Sequence, residues 1–205
     1  MPVLASALNG EEIEVLICNA GILRLEPGNF EELPTHFNSM METYNVNTIG
    51  PIRCVWALRN QLQKGSKVAI ITSRVGSLAD NGSGGMYGYR MSKTAVNMAG
   101  VNLAHQMKDK GVAVGLIHPG MVETDMTSSF GAKVGLNNHL HSRLLPHTAP
   151  LSLCNAHVLP SPQAGQGTCI STVDSASGII ARIEKDLSMD TTGHFWHQNG
   201  QELPW

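Results

Sequence analysis

Three short apolar runs divide the sequence, and each is followed at once by small or turn-forming residues. They occupy residues 15–18, 68–71 and 114–117. Their apolar character is continuous rather than alternating, which is typical of strands covered on both faces in a parallel sheet with crossover helices. The pattern therefore predicts three buried parallel strands.

Helical periodicity fills the intervals between these runs. Over residues 37–64, Ile52, Val55 and Leu62 fall on one helical face, and a second helix is predicted over 87–110. Periodicity returns later in the chain and is followed by a short apolar segment. These last two elements are a helix predicted over 174–187 and a strand predicted over 194–197.

Strands that alternate with helices predict an α/β fold with a doubly wound parallel sheet. In such sheets ligands bind beyond the carboxyl ends of the strands. Asn19, Ser73 and the His118-Pro119-Gly120 segment directly follow the three predicted strands. We therefore expect the functional site among these residues.

Composition and charge narrow the possible functions. The 205 residues include 14 basic and 16 acidic side chains, for a formal net charge of -2. Nucleic-acid binders carry a basic excess, so no nucleic-acid partner is expected. No apolar run approaches the roughly 20 residues that span a bilayer, and the four cysteines show no pairing pattern. We expect a cytoplasmic chain with reduced thiols and no membrane association.

The segment 134–169 differs from the rest of the chain. Between residues 134 and 173 the only charged residue is Arg143, and four prolines interrupt any regular element. Loops beyond about 12 to 15 residues are uncommon in compact domains unless they are lids or disordered inserts. The histidines and Cys154 of this segment lack metal-ligand spacing on a defined element, so no metal site is predicted.

The strongest candidate for chemistry is the pair formed by Tyr89 and Lys93. Residues four positions apart share one face of a helix, which places the lysine ammonium close to the phenol. A nearby positive charge lowers a tyrosine pKa from about 10 toward working pH, so the phenol becomes a credible proton donor and acceptor. The same spacing also occurs on ordinary surface helices, so the surrounding residues have to show whether this pair is catalytic.

Ser73 supplies part of that context. It follows the strand predicted at 68–71 and precedes Tyr89 by one loop. Its hydroxyl is placed to bind the substrate oxygen that Tyr89 protonates. A serine that only stabilises a local turn is the alternative interpretation.

Asn47 is marked by the proline that follows four residues later. Pro51 has no amide hydrogen and cannot complete the helical hydrogen bond to the Asn47 carbonyl. A carbonyl freed in this way can hold a water beside Lys93 and extend a proton path from Tyr89 to solvent. A merely kinked helix is the alternative.

Together these residues resemble the short-chain dehydrogenase/reductase family in order and spacing. The similarity covers about 14–126 and 170–205. Within that family the similarity is greatest to the C-factor-like reductases. The segments 73–77, 87–93 and 200–205 carry this similarity. The motif residues are Asn19, Ala20, Gly21, Asn47, Ser73, Tyr89, Lys93, Pro119, Gly120 and Thr124.

The resemblance implies a Rossmann-like fold that transfers a hydride between NAD(P)(H) and a small-molecule carbonyl or alcohol, with NADP favoured over NAD. Tyr89 would be the acid/base, Lys93 would bind the nicotinamide ribose and lower the Tyr89 pKa, and Ser73 would polarise the carbonyl. Asn47 would hold a relay water through its main chain. The other cofactor contacts would come from Asn19, Ala20, Gly21, Pro119, Gly120, Val122 and Thr124, of which Thr124 would bond the carboxamide.

The sequence departs from the family pattern at its start. The family begins with a strand, a glycine-rich turn of the TGxxxGxG kind and a helix whose N-terminus receives the pyrophosphate. No such turn precedes the first predicted strand. We therefore expect a sheet that lacks its first βαβαβ half, with residues 15–18 at an open apolar edge and with weak cofactor affinity. The expected organisation is one partial NAD(P)-binding domain over 1–205, with a core at 14–126, an insert at 134–169 and a C-terminal helix and strand at 170–205.

Two functions of different classes follow from these expectations. The first is an NAD(P)-dependent carbonyl reductase of the short-chain type. The second is a catalytically inactive remnant that acts as a binding or assembly partner through its open sheet edge. The helices predicted over 37–64 and 87–110 also offer a surface for a homodimer or homotetramer, as in relatives of the family.

Overall fold

Four parallel strands form the sheet and lie in the order of the sequence. The computed structural model describes residues 6–8, 10–26, 30–127 and 169–205. Continuous apolar stretches of the two central strands are buried on both faces, as the sequence pattern predicted. The strands are β1 (Ile13–Cys18), β2 (Leu62–Ile71), β3 (Ala113–His118) and β4 (Phe195–His197), paired in that order and all parallel.

A helix lies in each connection between successive strands. The connection from β1 to β2 contains α1 (Phe37–Tyr44) and α2 (Gly50–Ala57), which are joined by a π turn at Asn45–Ile49. The connection from β2 to β3 contains α3 (Tyr87–Met107), and α4 (Thr172–Ala181) precedes β4. Shorter helical turns lie at Phe30–His36, Arg74–Gly76 and Arg182–Asp186. This is the Rossmann-like α/β arrangement expected from the sequence.

The core is divided between the two faces of the sheet. Helices α2 and α3 pack on one face, and the segment that continues α4 packs on the other. The first cluster includes Val55, Val68, Ile70, Val96, Leu103 and Val114, and the second includes Ala69, Ile71, Ile117, Ile183, Leu187 and Trp196. Alternate residues of β2 and β3 therefore serve opposite clusters, which explains why these strands are apolar without interruption.

Strand β1 lies at the edge of the sheet, as expected, but only one of its faces is covered. Leu16 and Cys18 pack toward α2 and α3. Val15 and Ile17 point to the opposite face, where 43% and 45% of their surface is exposed. The segment after α4 packs against β2 and β3 on that face. Because Val15 and Ile17 are exposed, the prediction that residues 15–18 are buried on both faces is wrong.

The prediction of a helix over 37–64 is also wrong beyond residue 57. The chain turns after Ala57 and enters β2 at Leu62, so Leu62 does not share a helical face with Ile52 and Val55. The Ser66 hydroxyl donates a hydrogen bond to the Ile13 carbonyl at 2.7 Å and ties the start of β2 to β1. Pairing with a neighbouring strand has overridden local helical periodicity here.

The remaining predicted elements are present with shifted ends. The strand predicted at 68–71 begins earlier, at Leu62, and the helix predicted over 87–110 ends at Met107. None of the helices in the described part of the chain is long and apolar enough to cross a membrane. Cys18, Cys54 and Cys169 are free thiols, and within the described ranges no three His, Cys, Asp or Glu side chains are placed to share a metal ion. Apart from Cys169, the insert predicted at 134–169 lies outside the described residues.

We predict that Leu116→Ala lowers the free energy of unfolding by about 3 kcal/mol, because Leu116 is fully buried in β3 and its truncation leaves a cavity. Urea denaturation followed by circular dichroism measures the change. Leu78→Ala is the matched control, because 73% of Leu78 is exposed and its truncation should change stability by less than about 0.5 kcal/mol. Equal effects of the two substitutions would contradict the core assignment.

Candidate active site

The carboxyl end of β1, the carboxyl end of β2 and the first half of α3 meet at one place. A Cβ added to Gly21, after β1, would lie 3.5 Å from Asn47 Oδ1 and 3.7 Å from Lys93 Nζ. Lys93 Nζ in turn donates a hydrogen bond to the Ile71 carbonyl at the end of β2, at 3.1 Å. The structure therefore brings Gly21, Asn47 and Lys93 together although they lie far apart in the sequence.

The Ser73 hydroxyl lies beside the Tyr89 phenol, close enough to lower the pKa of Tyr89. Ser73 is buried in extended backbone directly after β2, and its Oγ also accepts a hydrogen bond from the Val75 amide at 3.4 Å. Tyr89 lies in the first turn of α3. The fold thus brings the serine hydroxyl at the end of β2 next to the phenol at the start of α3.

The Tyr89 pKa differs from the sequence expectation. Burial raises this pKa above its ordinary value of 10.0, and the adjacent Ser73 hydroxyl opposes the rise. The predicted lowering by Lys93 is therefore wrong for the isolated chain, because the loss of hydration disfavours the phenolate more than its surroundings stabilise it. The phenol carries its proton at neutral pH.

Lys93 is a buried cation with unused hydrogen-bonding capacity. Burial lowers its pKa from 10.5 to about 8. Its Nζ lies 5.7 Å from the centroid of the Tyr89 ring. An ammonium has three donors, and within the described chain Lys93 uses one of them, toward Ile71. The other donors face the space next to Gly21 and are available to a bound group.

Asn47 fixes the loop after β1 against α3 through its side chain. Its Oδ1 accepts from the Ile22 amide at 2.8 Å, and its Nδ2 donates to the Ile22 carbonyl at 2.9 Å and to Ser92 Oγ at 3.0 Å. The helix is interrupted here by the π turn Asn45–Ile49, and Pro51 is the second residue of α2, which follows it. Sequence reasoning expected the distorted helix, but it did not foresee this bridging role of the amide.

The turn after β3 is held by the segment that leads into α4. Gly120 has a φ of 86°, a conformation that favours glycine. The Ser175 hydroxyl donates to the Pro119 carbonyl at 2.7 Å, and Val122 forms a parallel bridge with Ile170. This tertiary attachment fixes the predicted cofactor-binding turn beside the ends of the strands.

The other residues predicted to contact the cofactor are more exposed to solvent. Asn19, Ala20 and Thr124 are exposed. The amide of Thr124 donates to Thr127 Oγ1 at 2.9 Å, which keeps this residue in a local turn. No described hydrogen bond joins Thr124 to Tyr89 or Lys93, so its predicted contact to the carboxamide stays a prediction.

His118 is a half-buried residue that sequence reasoning placed near the functional site only as part of the His118-Pro119-Gly120 segment. Burial, together with the nearby His197, Arg74 and Lys93, lowers the His118 pKa to about 3, so this imidazole is neutral at physiological pH. The rings of His118 and His197 meet edge to face with their centroids 5.0 Å apart. The only signal in the sequence was the position of each histidine at the end of a strand.

Glu26 is a second residue that the sequence did not single out. Its Oε1 accepts a hydrogen bond from the Gly88 amide at 2.6 Å, one residue before Tyr89. The N-terminus of α3 has no side-chain cap of its own, and Met86 before it is left-handed with a φ of 51°. A carboxylate contributed by the loop after β1 therefore caps the helix that carries Tyr89 and Lys93.

Comparison with known proteins places this geometry in a family. Residues 4–135 match the family model described as short chain dehydrogenase. A 1-hydroxy-2-glutathionyl-2-methyl-3-butene dehydrogenase of Rhodococcus sp. (strain AD45) is 36% identical over 197 residues, which cover 96% of this chain and 70% of that protein. The C-signal protein of Myxococcus xanthus is 32% identical, with coverage of 94% of this chain and 93% of its own length.

A solved structure shares the fold at lower sequence identity. The NADPH-bound carbonyl reductase from chicken fatty liver superposes with a TM-score of 0.71 at 22% identity, over 99% of this chain and 70% of that chain. These findings favour the oxidoreductase hypothesis over that of an inactive remnant. The chain belongs to the short-chain dehydrogenase family of oxidoreductases.

Proposed function

We propose that this chain interconverts a carbonyl and an alcohol of a small molecule, with Ser73, Tyr89 and Lys93 as its catalytic residues. The observation that carries the proposal is that Ser73 and Tyr89 lie side by side next to the buried Lys93 cation. Carbonyl reduction requires three groups from the protein: a proton donor, a polar group that orients the substrate oxygen, and a nearby cation.

The residues present fit a nicotinamide cofactor. Lys93 Nζ lies next to Gly21 of the Asn19-Ala20-Gly21 segment. One of its three N–H donors bonds Ile71, and the others are the proposed donors to the two ribose hydroxyls. Pro119, Gly120, Val122 and Thr124 are the proposed contacts on the other side, in the turn after β3. When bound, the cofactor supplies the hydride, and the protein's own residues handle the proton.

In the reducing direction Tyr89 donates its proton to the substrate oxygen. Its raised pKa keeps the phenol protonated at neutral pH, so the donor form dominates. Ser73 holds the same oxygen by a hydrogen bond, and the Lys93 ammonium stabilises the phenolate that remains. The Asn47 carbonyl, in the π turn before Pro51, is the proposed acceptor for a water that returns a proton from solvent.

The cofactor class is NAD(P), and we propose NADP over NAD. The NADPH-bound chicken carbonyl reductase, which shares the fold, supports this choice. The Rhodococcus relative is a dehydrogenase of a hydroxylated glutathionyl compound by its name, which supports an alcohol or carbonyl group as the reacting centre here. A cytoplasmic location is also proposed, because Cys18 and Cys54 are neighbours that remain free thiols, as in reducing compartments.

A homodimer or homotetramer is part of the proposal. Met41 on α1, Trp56 on α2, and Met91 and Met98 on α3 are large apolar side chains that remain more than half exposed. Exposed apolar residues concentrated on neighbouring helices are typical of surfaces that associate. We propose that these helices form the contact between copies of the chain.

Tyr89→Phe should reduce turnover at least about 100-fold, because the proton donor is lost, while NADPH binding is kept. Oxidation of NADPH with para-nitrobenzaldehyde measures the turnover, and thermal shift with NADPH measures binding. Tyr87→Phe is the matched control, because Tyr87 is a partly exposed tyrosine of the same helical turn, and it should stay near wild-type turnover. Undiminished activity of Tyr89→Phe would rule out its role as the acid.

Reduction should also weaken in alkaline solution. The pKa of Lys93 is about 8 in the isolated chain, so the cation is present below that pH and lost above it. We expect kcat/KM to fall roughly tenfold per pH unit above about pH 8. A profile that stays flat to about pH 10 would show that the Lys93 charge is not needed.

Sedimentation velocity tests the proposed assembly. The wild type should sediment as a dimer or tetramer, and Met98→Glu should shift it toward the monomer, because a carboxylate would be buried between helices. Val173→Glu is the control on α4, where Val173 is 71% exposed. A monomeric wild type would exclude the proposal.

A further inference from the structure

The short turn that carries Ser73 is fastened to α3 at three points. Arg74–Gly76 form this turn directly after Ser73. Its closest approach to the helix is at Gly76, where an added Cβ would lie 2.7 Å from the Lys93 carbonyl carbon and 2.9 Å from its oxygen. Both atoms belong to the helix backbone, so any side chain at residue 76 would push the turn away from α3.

A threonine of α3 holds the same glycine by a hydrogen bond. Thr94 Oγ1 donates to the Gly76 carbonyl at 2.8 Å and also lies 3.0 Å from the Arg90 carbonyl of its own helix. Thr94 follows Lys93 directly. The hydroxyl therefore fixes the turn relative to the residues that we propose to be catalytic.

Arg90 makes the third connection. Its Nη1 donates to the Val75 carbonyl at 3.2 Å, and its Nη2 donates to Ser83 Oγ at 2.9 Å in the loop before α3. Its Nε is buried without a hydrogen-bonding partner among the described residues. Burying a donor without a partner costs free energy. The two Nη hydrogen bonds therefore have to offset this cost for the guanidinium to stay in this position.

These contacts decide where Ser73 lies relative to Tyr89. On α3, Arg90 directly follows Tyr89 and Thr94 directly follows Lys93. Their acceptors, Val75 and Gly76, follow Ser73 in the turn. The Val75 amide also bonds Ser73 Oγ at 3.4 Å. A shift of the turn would therefore move the serine hydroxyl relative to the phenol, with little effect on the rest of the sheet.

We propose that Arg90 and Thr94 are positioning residues that clamp the Ser73 turn to α3 and so hold the Ser73 hydroxyl beside the Tyr89 phenol. The inference rests on the proposed function for its catalytic consequence. Its structural content is independent of that function, because the contacts of Arg90 and Thr94 with the turn exist in the chain without substrate.

The test compares Thr94→Val and Arg90→Met with the wild type by two measurements. Thr94→Val is isosteric and removes the bond to Gly76, and Arg90→Met keeps the apolar stem and removes both Nη bonds. With NADPH and para-nitrobenzaldehyde, each variant should lose roughly three- to tenfold in kcat, as the loss of one or two hydrogen bonds predicts, without a change in the KM for NADPH. Thr94→Ser, which retains the hydroxyl, should restore kcat.

The second measurement is the pKa of Tyr89, from phenolate absorbance corrected by the spectrum of Tyr89→Phe. Because the adjacent Ser73 hydroxyl lowers this pKa, loosening the turn should raise it in Thr94→Val and Arg90→Met. Thr43→Val is the matched control, because among the described residues the Thr43 hydroxyl bonds only the Ser39 carbonyl of its own helix, at 2.8 Å. This control should leave both kcat and the Tyr89 pKa unchanged.

The two measurements separate the inference from the proposed function. If the wild type has no reductase turnover, the proposed function fails, and the Tyr89 titration alone decides the inference. A Tyr89 pKa that is the same in Thr94→Val and in the wild type would overturn the clamp, whatever the turnover. If Arg90→Met does not fold, the milder Thr94→Val and its Thr94→Ser counterpart carry the test.

Discussion

Close packing of α3 against the sheet is the constraint on which the rest of this structure depends. Two glycines make it possible. Gly76 lets the turn after β2 touch the helix backbone at Lys93, and Gly100 lets the helix approach β3, where an added Cβ would meet the Leu116 side chain at 2.7 Å. These two contacts fix the position of α3 relative to the central strands. The positions of Tyr89 and Lys93 on this helix are therefore set by how it packs in the core.

The same packing sets the electrostatics of the site. Removing Tyr89 and Lys93 from water disfavours the charged form of each, which raises one pKa and lowers the other. Hydrogen bonds from neighbouring loops partly offset these costs. Glu26 caps the start of the helix, Ser73 lies beside the phenol and lowers its pKa, and Asn47 ties the loop after β1 to Ser92. Each partner comes from a different segment, so the site depends on the whole sheet being formed.

Much of the fold and the candidate site was predictable from local patterns. Continuous apolar runs identified β1, β2 and β3, and helical periodicity identified α3, because buried strands and packed helices need those patterns. The spacing of Tyr89 and Lys93 placed them on one helical face. The patterns failed for residues 58–64, where strand pairing decided the structure, and for Val15 and Ile17, whose exposure depends on how far a distant helix reaches.

The sequence by itself determined the order of the elements, the family and the set of candidate catalytic residues, because these depend on short-range spacing and on residue type. Tertiary structure alone decided the protonation of those residues and the partners that hold them. A pKa depends on desolvation and on charges brought from elsewhere in the chain, as at Tyr89 and His118. The contacts of Glu26, Arg90 and Thr94 likewise join segments whose proximity arises only when the sheet brings its loops together.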